Sequence, residues 1–364
     1  MKQPRVCISP LDWGLGHATR CIPLIKAFQS LGYKVFIATD GDQAVILKQA
    51  FPEIEFLSIR GYQVHYTKNK GLLFFSLLWQ LPKIIYCIFH EYEWLKKTQK
   101  QYQFDLIVSD NRFGFFHKKV NSVFITHQLN LQTPFKWTSA LYQQLLYSWL
   151  KKFNSCWIPD NQDAPGFSGD LAHPKKMPTT PYWYMGLLSR MQSVETKEPI
   201  NENNEIEFLG IVSGPEPQRS IFEKQLWKQG NALGKKFVVV AGVPHNPLYK
   251  KYSSCGHLYH HLSMEDLVQK IQSAKFIICR GGYTSLMELA AFNKSLILVP
   301  TPGQTEQAYL AKHWSVNKWA VSVDAAAFDL KNALERAKQN TSNPIPYTSF
   351  SANALAAALK TLTL

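Results

Sequence analysis

The sequence is short of acid relative to base: 26 Asp and Glu stand against 40 Lys and Arg, a formal net charge of +14. Such a balance favours anionic partners, whether nucleic acid, an anionic membrane face or phosphorylated substrates. No RNP-like, helix-turn-helix or zinc-finger pattern occurs, so no nucleic acid partner is expected. The cysteines, at positions 7, 21, 87, 156, 255 and 279, form no C-x-x-C pair. That excludes the usual metal spacings and predicts reduced, buried thiols in a cytoplasmic chain. No uninterrupted apolar run reaches the roughly 18 to 20 residues a membrane span needs. The most apolar stretch, Gly71 to His90, is broken by Pro82-Lys83. Met1-Lys2-Gln3-Pro4-Arg5 leads into a strand without the apolar run of a secretory signal, and no short-period repeat appears.

What is present suits two domains, because 364 residues with 46% hydrophobic content can bury two ordinary cores. Val6 to Ser9 predicts a strand, Pro10 to Arg20 a glycine-bearing loop entering a helix that ends near Leu31-Gly32, and Lys34 to Thr39 a second strand. Gly14-Leu15-Gly16-His17-Ala18-Thr19 has two glycines of a dinucleotide fingerprint, with Asp40 ending the second strand. The third glycine is Thr19, however, and the loop is too long for the tight turn that fingerprint needs. Asp40-Gly41-Asp42 spells D-x-D, a metal-holding pattern, but its place between a strand and the helix of Gln43 to Ala50 predicts an N-cap. No metal is expected.

His17, at a helix start on a glycine loop, has a side chain able to take a proton near neutrality; the alternative is a hydrogen bond to the loop backbone. Asp12 would orient it, or else form a turn with Trp13. The strand Phe104 to Ser109 ends in Asp110-Asn111-Arg112, and Val123 to Thr126 ends in His127. Strand ends of open parallel sheets face the ligand crevice, so Asp110, Arg112 and His127 are acceptor-side candidates, with His127 the reserve base. Leu72 to Phe89, flanked by Lys68, Lys70, Lys96, Lys97 and Lys100, predicts a helix packed on the first sheet or lying on an anionic bilayer. Gln192 to Asn204 is polar and marks the domain boundary.

The most informative stretch is Phe276-Ile277-Ile278-Cys279-Arg280-Gly281-Gly282-Tyr283-Thr284-Ser285-Leu286-Met287-Glu288. It predicts a buried strand, a glycine turn and a helix over Ser285 to Phe292. A helix start presents unpaired N–H groups and the positive end of the macrodipole, and glycines let a diphosphate approach the backbone. Glu288 suits a pair of sugar hydroxyls, since an ionised carboxylate only accepts. Ser285 to Glu288 also spells a capping box. Ser295 to Val299 predicts another strand, and Pro300-Thr301-Pro302-Gly303-Gln304-Thr305-Glu306-Gln307 a rigid loop offering a carboxylate and an amide to hydroxyls.

The patterns R-G-G-x-x-S-x-x-E and P-x-P-G-Q-x-E-Q closely resemble the nucleotide-binding half of glycosyltransferase family 28, the MurG-like UDP-sugar transferases. The resemblance is strong over Leu258 to Trp314 and weaker elsewhere. It implies an α/β chain of GT-B fold, two Rossmann-like domains facing a central cleft. These are an acceptor domain over 1–195, a nucleotide-sugar domain over 205–345, and a helix over 346–364 returning to the first. It implies donor contacts at Arg280, Gly281, Gly282, Thr284, Ser285, Glu288, Gln304, Glu306 and Gln307. Others are implied at Ser213, Gly214 and Arg219 of the first loop, and at Met264 in the segment expected to hold the base. The G-x-G-H loop implies acceptor-side roles for Asp12, Gly14 and Gly16, and a base or acceptor contact in His17. The activity implied is inverting, metal-independent hexosyl transfer from a UDP-sugar to a sugar- or lipid-linked hydroxyl, with no cofactor. A UDP-sugar epimerase or a non-catalytic nucleotide-sugar binder is the alternative. A monomer or weak dimer, peripheral on the inner membrane face, is expected.

Overall fold

The structure, a computed structural model, describes residues 3–62, 79–133, 136–193, 205–243 and 246–362. The chain forms two compact units, Met1–Arg190 with Pro346–Leu364, and Met191–Ile345.

In the first unit, strands and helices alternate: β1 (Arg5–Pro10), α1 (Leu15–Ser30), β2 (Lys34–Ala38), α2 (Gly41–Ala50), β3 (Glu55–Leu57), α3 (Leu81–Tyr102), β4 (Leu106–Asp110), β5 (Asn121–Ile125), α4 (Lys136–Leu150), β6 (Ser155–Ile158) and β7 (Tyr182–Tyr184). The strands pair in parallel in the order β3-β2-β1-β4-β5-β6-β7. Their near-continuous apolar runs, such as Val6 to Ile8 and Leu106 to Val108, are fully buried, as a parallel sheet covered on both faces requires. Strand order reverses between β1 and β4, so the loops leaving Pro10 and Asp110 open the crevice where such sheets hold ligands.

α3 is amphipathic. Cys87, Glu91 and Leu95 face inward, whereas Leu81, Ile85, Tyr86 and Phe89 are exposed, and Trp79 just before it is 89% exposed. Pro82 does not interrupt this helix; it sits in the first turn, where its missing N–H costs nothing. Over 79–89 the helix thus has one face packed and one exposed, while Leu72, Phe75 and Leu78, with Lys68 and Lys70, lie outside the described residues. The chain returns to this unit at Pro346. The Asn161 side chain donates to the Pro346 carbonyl (2.9 Å) and accepts from the Thr348 amide (2.9 Å), and the helix Ala352–Thr361 follows its Ser351 cap.

The second unit runs β8 (Ile206–Ile211), α5 (Gln218–Leu233), β9 (Phe237–Val240), β10 (Lys250–Tyr252), β11 (Gly256–Tyr259), α6 (Met264–Ser273), β12 (Ala274–Cys279), α7 (Tyr283–Leu289), β13 (Ser295–Leu298), α8 (Thr305–Val316), β14 (Ala320–Ser322) and α9 (Leu330–Gln339). Its order is β10-β11-β9-β8-β12-β13-β14, parallel except for the β10 edge. Phe208, Phe222, Phe237, Ile278, Ile297 and Leu334 anchor its core. Here the order reverses between β8 and β12, so the loops after Ile211 and Cys279 share the switch point. The six cysteines are unpaired, five of them buried.

Candidate active site

In the first unit, the Leu11 amide donates to the Asp110 carbonyl (3.0 Å), holding the β1 loop against the end of β4. Gly14, at φ +112°, is the N-cap of α1, a backbone position that strains any residue with a Cβ, and Gly16 lies in the first turn. His17 Nδ1 lies 3.0 Å from Asp110 Oδ2, and the imidazole is 16% exposed while the carboxylate is fully buried. One turn on, Arg20 Nε donates to Asp110 Oδ2 (2.9 Å), Nη2 donates to Oδ1 and also stands 2.9 Å from His17 Nδ1, and Nη1 reaches His127 Nδ1 (3.3 Å). Burial alone would raise the Asp110 carboxyl, yet Arg20 and His17 hold it well below the ordinary range. Burial, then Arg20, lowers the His17 imidazole from its ordinary value, which leaves it neutral at physiological pH.

Three readings of this region change. Asp12 does not orient His17: its Oδ1 accepts from the Tyr62 amide (2.9 Å), and Asp110 takes the place beside the imidazole. Asp110 therefore faces His17 and Arg20 rather than an acceptor. Arg112 is no acceptor contact either. It is buried, with Nε on Glu91 Oε1 (2.7 Å), Nη1 on the Pro10 carbonyl (3.3 Å) and Nη2 on the Arg60 carbonyl (2.8 Å). Glu91 also accepts from Tyr62 Oη and the Gly114 amide, so this ion pair ties α3 to the loops beneath the site. Sequence reasoning missed Arg20, although its place three residues after His17 on one helix face was the available signal.

In the second unit, Gly281 has φ +73°, which a Cβ would strain. Gly282 is the N-cap of α7, without a side-chain cap bond, so Ser285 and Glu288 do not form the capping box. Thr284 and Ser285 are half-buried in the first turn, and Glu288 is buried deeper. Gln307 Oε1 accepts from the Thr301 amide (2.8 Å), and its Nε2 lies 3.9 Å from where a Gly282 Cβ would stand. Glu306 beside it is half-buried. Gln304 departs from expectation: its Oε1 caps α8 through the Gln307 amide (3.2 Å). Ser213 and Gly214 line the loop after β8, and Met264 opens α6 behind its Ser263 cap. Arg219 is also not a free phosphate contact. Its Nε donates to Glu216 (2.7 Å) and its Nη1 to Glu223 (2.7 Å), a pattern the carboxylates three residues before and four after could have signalled. Asp40, the other open question, accepts from the Gly41 amide as an N-cap (2.8 Å) and from Ser58 Oγ.

Two parallel sheets, each with helices alternating along the chain, define the GT-B fold, and solved structures agree. The glycosyltransferase SnogD from Streptomyces nogalater matches with TM-score 0.64 at 15% identity over 100% of both chains. Arabidopsis thaliana UGT89C1, complexed with quercetin, matches with TM-score 0.66 at 12% identity over 100% of both chains. A putative UDP-N-acetylglucosamine 2-epimerase from Listeria monocytogenes matches with TM-score 0.62 at 14% identity, over 99% of this chain and 97% of that one. No curated protein sequence matches the chain. Residues 219–362 match the glycosyltransferase family 28 C-terminal domain.

Proposed function

We propose that the protein is an inverting transferase that moves a hexosyl or N-acetylhexosaminyl group from a UDP-sugar to an acceptor hydroxyl. The observation that carries this reading is the His17–Asp110 pair at the β1/β4 switch point. In the tautomer this reading takes, Nδ1–H is donated to Asp110, and Arg20 Nη2, 2.9 Å from the same nitrogen, bonds the carboxylate instead; Nε2 then keeps its lone pair and takes the acceptor proton, while the ionised carboxylate stabilises the imidazolium that forms. The acceptor oxygen then bonds to the anomeric carbon as the bond to the diphosphate oxygen breaks, and UDP leaves with the electron pair. The leaving charge is met by the amides of the Gly281-Gly282 turn and by Thr284 and Ser285, and Glu288 holds the ribose hydroxyls. No metal is required in this scheme, in which Asp40 serves as a helix cap.

The acceptor side extends to a lipid surface in this reading. Besides the exposed apolar face of α3, Trp137, Leu141 and Leu145 form an exposed stripe on α4, and Tyr92 of α3 shares a cluster with Leu146 and Leu150 of α4. Lys97 and Lys100 stand exposed on α3. Apolar stripes beside lysines suit an anionic membrane and a lipid-linked acceptor.

The epimerase reading shares the fold, as the Listeria structure illustrates, and needs no acceptor. UDP release measured over a panel of UDP-sugars, with and without candidate acceptors, separates the two. His17→Ala is expected to lower transfer about 10²- to 10⁴-fold while leaving UDP affinity unchanged. Unchanged transfer by the variant removes His17 as base.

A further inference from the structure

Three arginines of this chain are essentially fully buried: Arg20, Arg112 and Arg280. Arg20 faces Asp110 and Arg112 faces Glu91. Arg280, 2% exposed, faces no carboxylate among the described residues. Its Nη1 donates to the Val299 carbonyl (3.2 Å), its Nη2 to the Gln218 carbonyl (2.8 Å), and its plane lies over the Phe222 ring at 4.0 Å. One guanidinium thus joins the ends of β12 and β13 to the start of α5, the three segments that meet at the β8/β12 switch point. Its Nε is buried without a partner, and so is the Thr301 hydroxyl, two residues beyond Val299. A Cβ built on Gly214 would stand 4.0 Å from that hydroxyl, so the loop after β8 passes beside it.

A buried cation without an anion is unfavourable unless something supplies the charge. We propose that Arg280 is the positioning residue of the donor site and the fixed counter-charge for the pyrophosphate group of a nucleoside diphosphate. This rests on the donor-binding reading of the same loops, and it replaces direct contact by Arg280 with bracing and field. The guanidinium fixes the loop carbonyls on its inner side, so that the amides of the Gly281-Gly282 turn keep their aim. Its charge favours a ligand carrying two phosphates over one carrying none. Burial, which pulls the guanidinium down to about 10, is in keeping with a charge awaiting its partner.

The test is calorimetric titration of the full chain with UDP, uridine and inorganic pyrophosphate. Arg280→Gln is expected to weaken UDP and pyrophosphate about 30- to 100-fold, the span of a lost charged interaction, and to leave uridine within about twofold. Arg280→Lys keeps the charge and loses the fork, and should hold pyrophosphate within about tenfold of wild type. A folded Arg280→Gln that binds UDP as wild type does, or weakens uridine as much as UDP, overturns the proposal. Should Arg280→Gln not fold, Arg280→Lys decides: a loss of pyrophosphate affinity beyond about 100-fold removes the counter-charge role. Wild-type protein binding pyrophosphate but not UDP sinks the uridine donor and keeps this proposal, whereas binding neither overturns both.

Discussion

Replacing Asp110 by Asn asks most of the catalytic reading. The carboxylate stands 3.0 Å from His17 Nδ1 and is fully buried. At an effective dielectric of about 20, unit charges about 4 Å apart attract by roughly 4 kcal/mol. An amide oxygen in its place keeps a hydrogen bond to Nδ1 worth about 1 kcal/mol. The net loss at a transition state with a forming imidazolium is then about 3 kcal/mol, or on the order of 100-fold in kcat. The pH profile carries a sign. His17 is held below its ordinary 6.5 by burial and then by Arg20, so the acid limb of wild-type kcat/KM falls below that value. Asp110 opposes this lowering, and without it Arg20 remains, so the limb moves to lower pH and alkaline buffer does not restore the rate.

The same variant leaves Arg20 buried without its carboxylate, at about 3 to 5 kcal/mol of stability. Asp110 sits below its ordinary 3.8 in the folded chain, so its contribution is complete above that pH and is lost as pH falls through the folded value. The Tm gap between wild type and Asp110→Asn should therefore be widest near neutrality and narrow in acid. Rates are compared at a temperature where circular dichroism shows both folded, with UDP affinity as a control in the other unit. Full activity of the variant, or an acid limb displaced upward, refutes the role given to Asp110.

Glu288→Gln should weaken UDP binding by about 1 to 3 kcal/mol with Tm nearly unchanged, because Glu288 is not a capping residue; unchanged affinity by calorimetry removes the ribose contact. Transfer should survive excess EDTA, and activity that vanishes with chelator and returns with Mn²⁺ contradicts the metal-free scheme. Wild-type protein should co-sediment with anionic but not neutral liposomes, weakened by salt. Trp79, 89% exposed, offers up to about 3 kcal/mol on insertion, so Trp79→Glu should reduce that binding at least about tenfold without changing Tm beyond a surface substitution's range. A wild type that ignores anionic liposomes points to a soluble acceptor.

What was legible in the sequence was local. Apolar runs gave the buried strands, Asp40 gave its cap, and the Gly281-Gly282 turn and the Gly14 to His17 loop announced themselves by residue type and spacing. The residues misjudged are those whose roles depend on a partner far along the chain. His17 could have been oriented by Asp12, five residues away, but its partner is Asp110, 93 residues on. Arg112 looked like a ligand contact at a strand end until Glu91, hidden on a helix that reads as apolar, was found to neutralise it.

The two switch points explain why the loops at the strand ends were easier to place than their wiring. Order reversal in a parallel sheet follows from which strands are connected by which crossovers, and it fixes where ligands bind before any side chain is chosen. In the first unit it brings the ends of β1 and β4 together, and in the second those of β8 and β12. A buried cation at such a point has two outcomes, and this chain uses both. Arg20 is matched by a carboxylate of its own chain, which also aims an imidazole that burial and Arg20 hold below its ordinary value. Arg280 has carbonyls and an aromatic ring but no acid, so the charge it lacks has to come from what binds there. The difference between the two arginines cannot be read from their neighbours in sequence. It needs the distances.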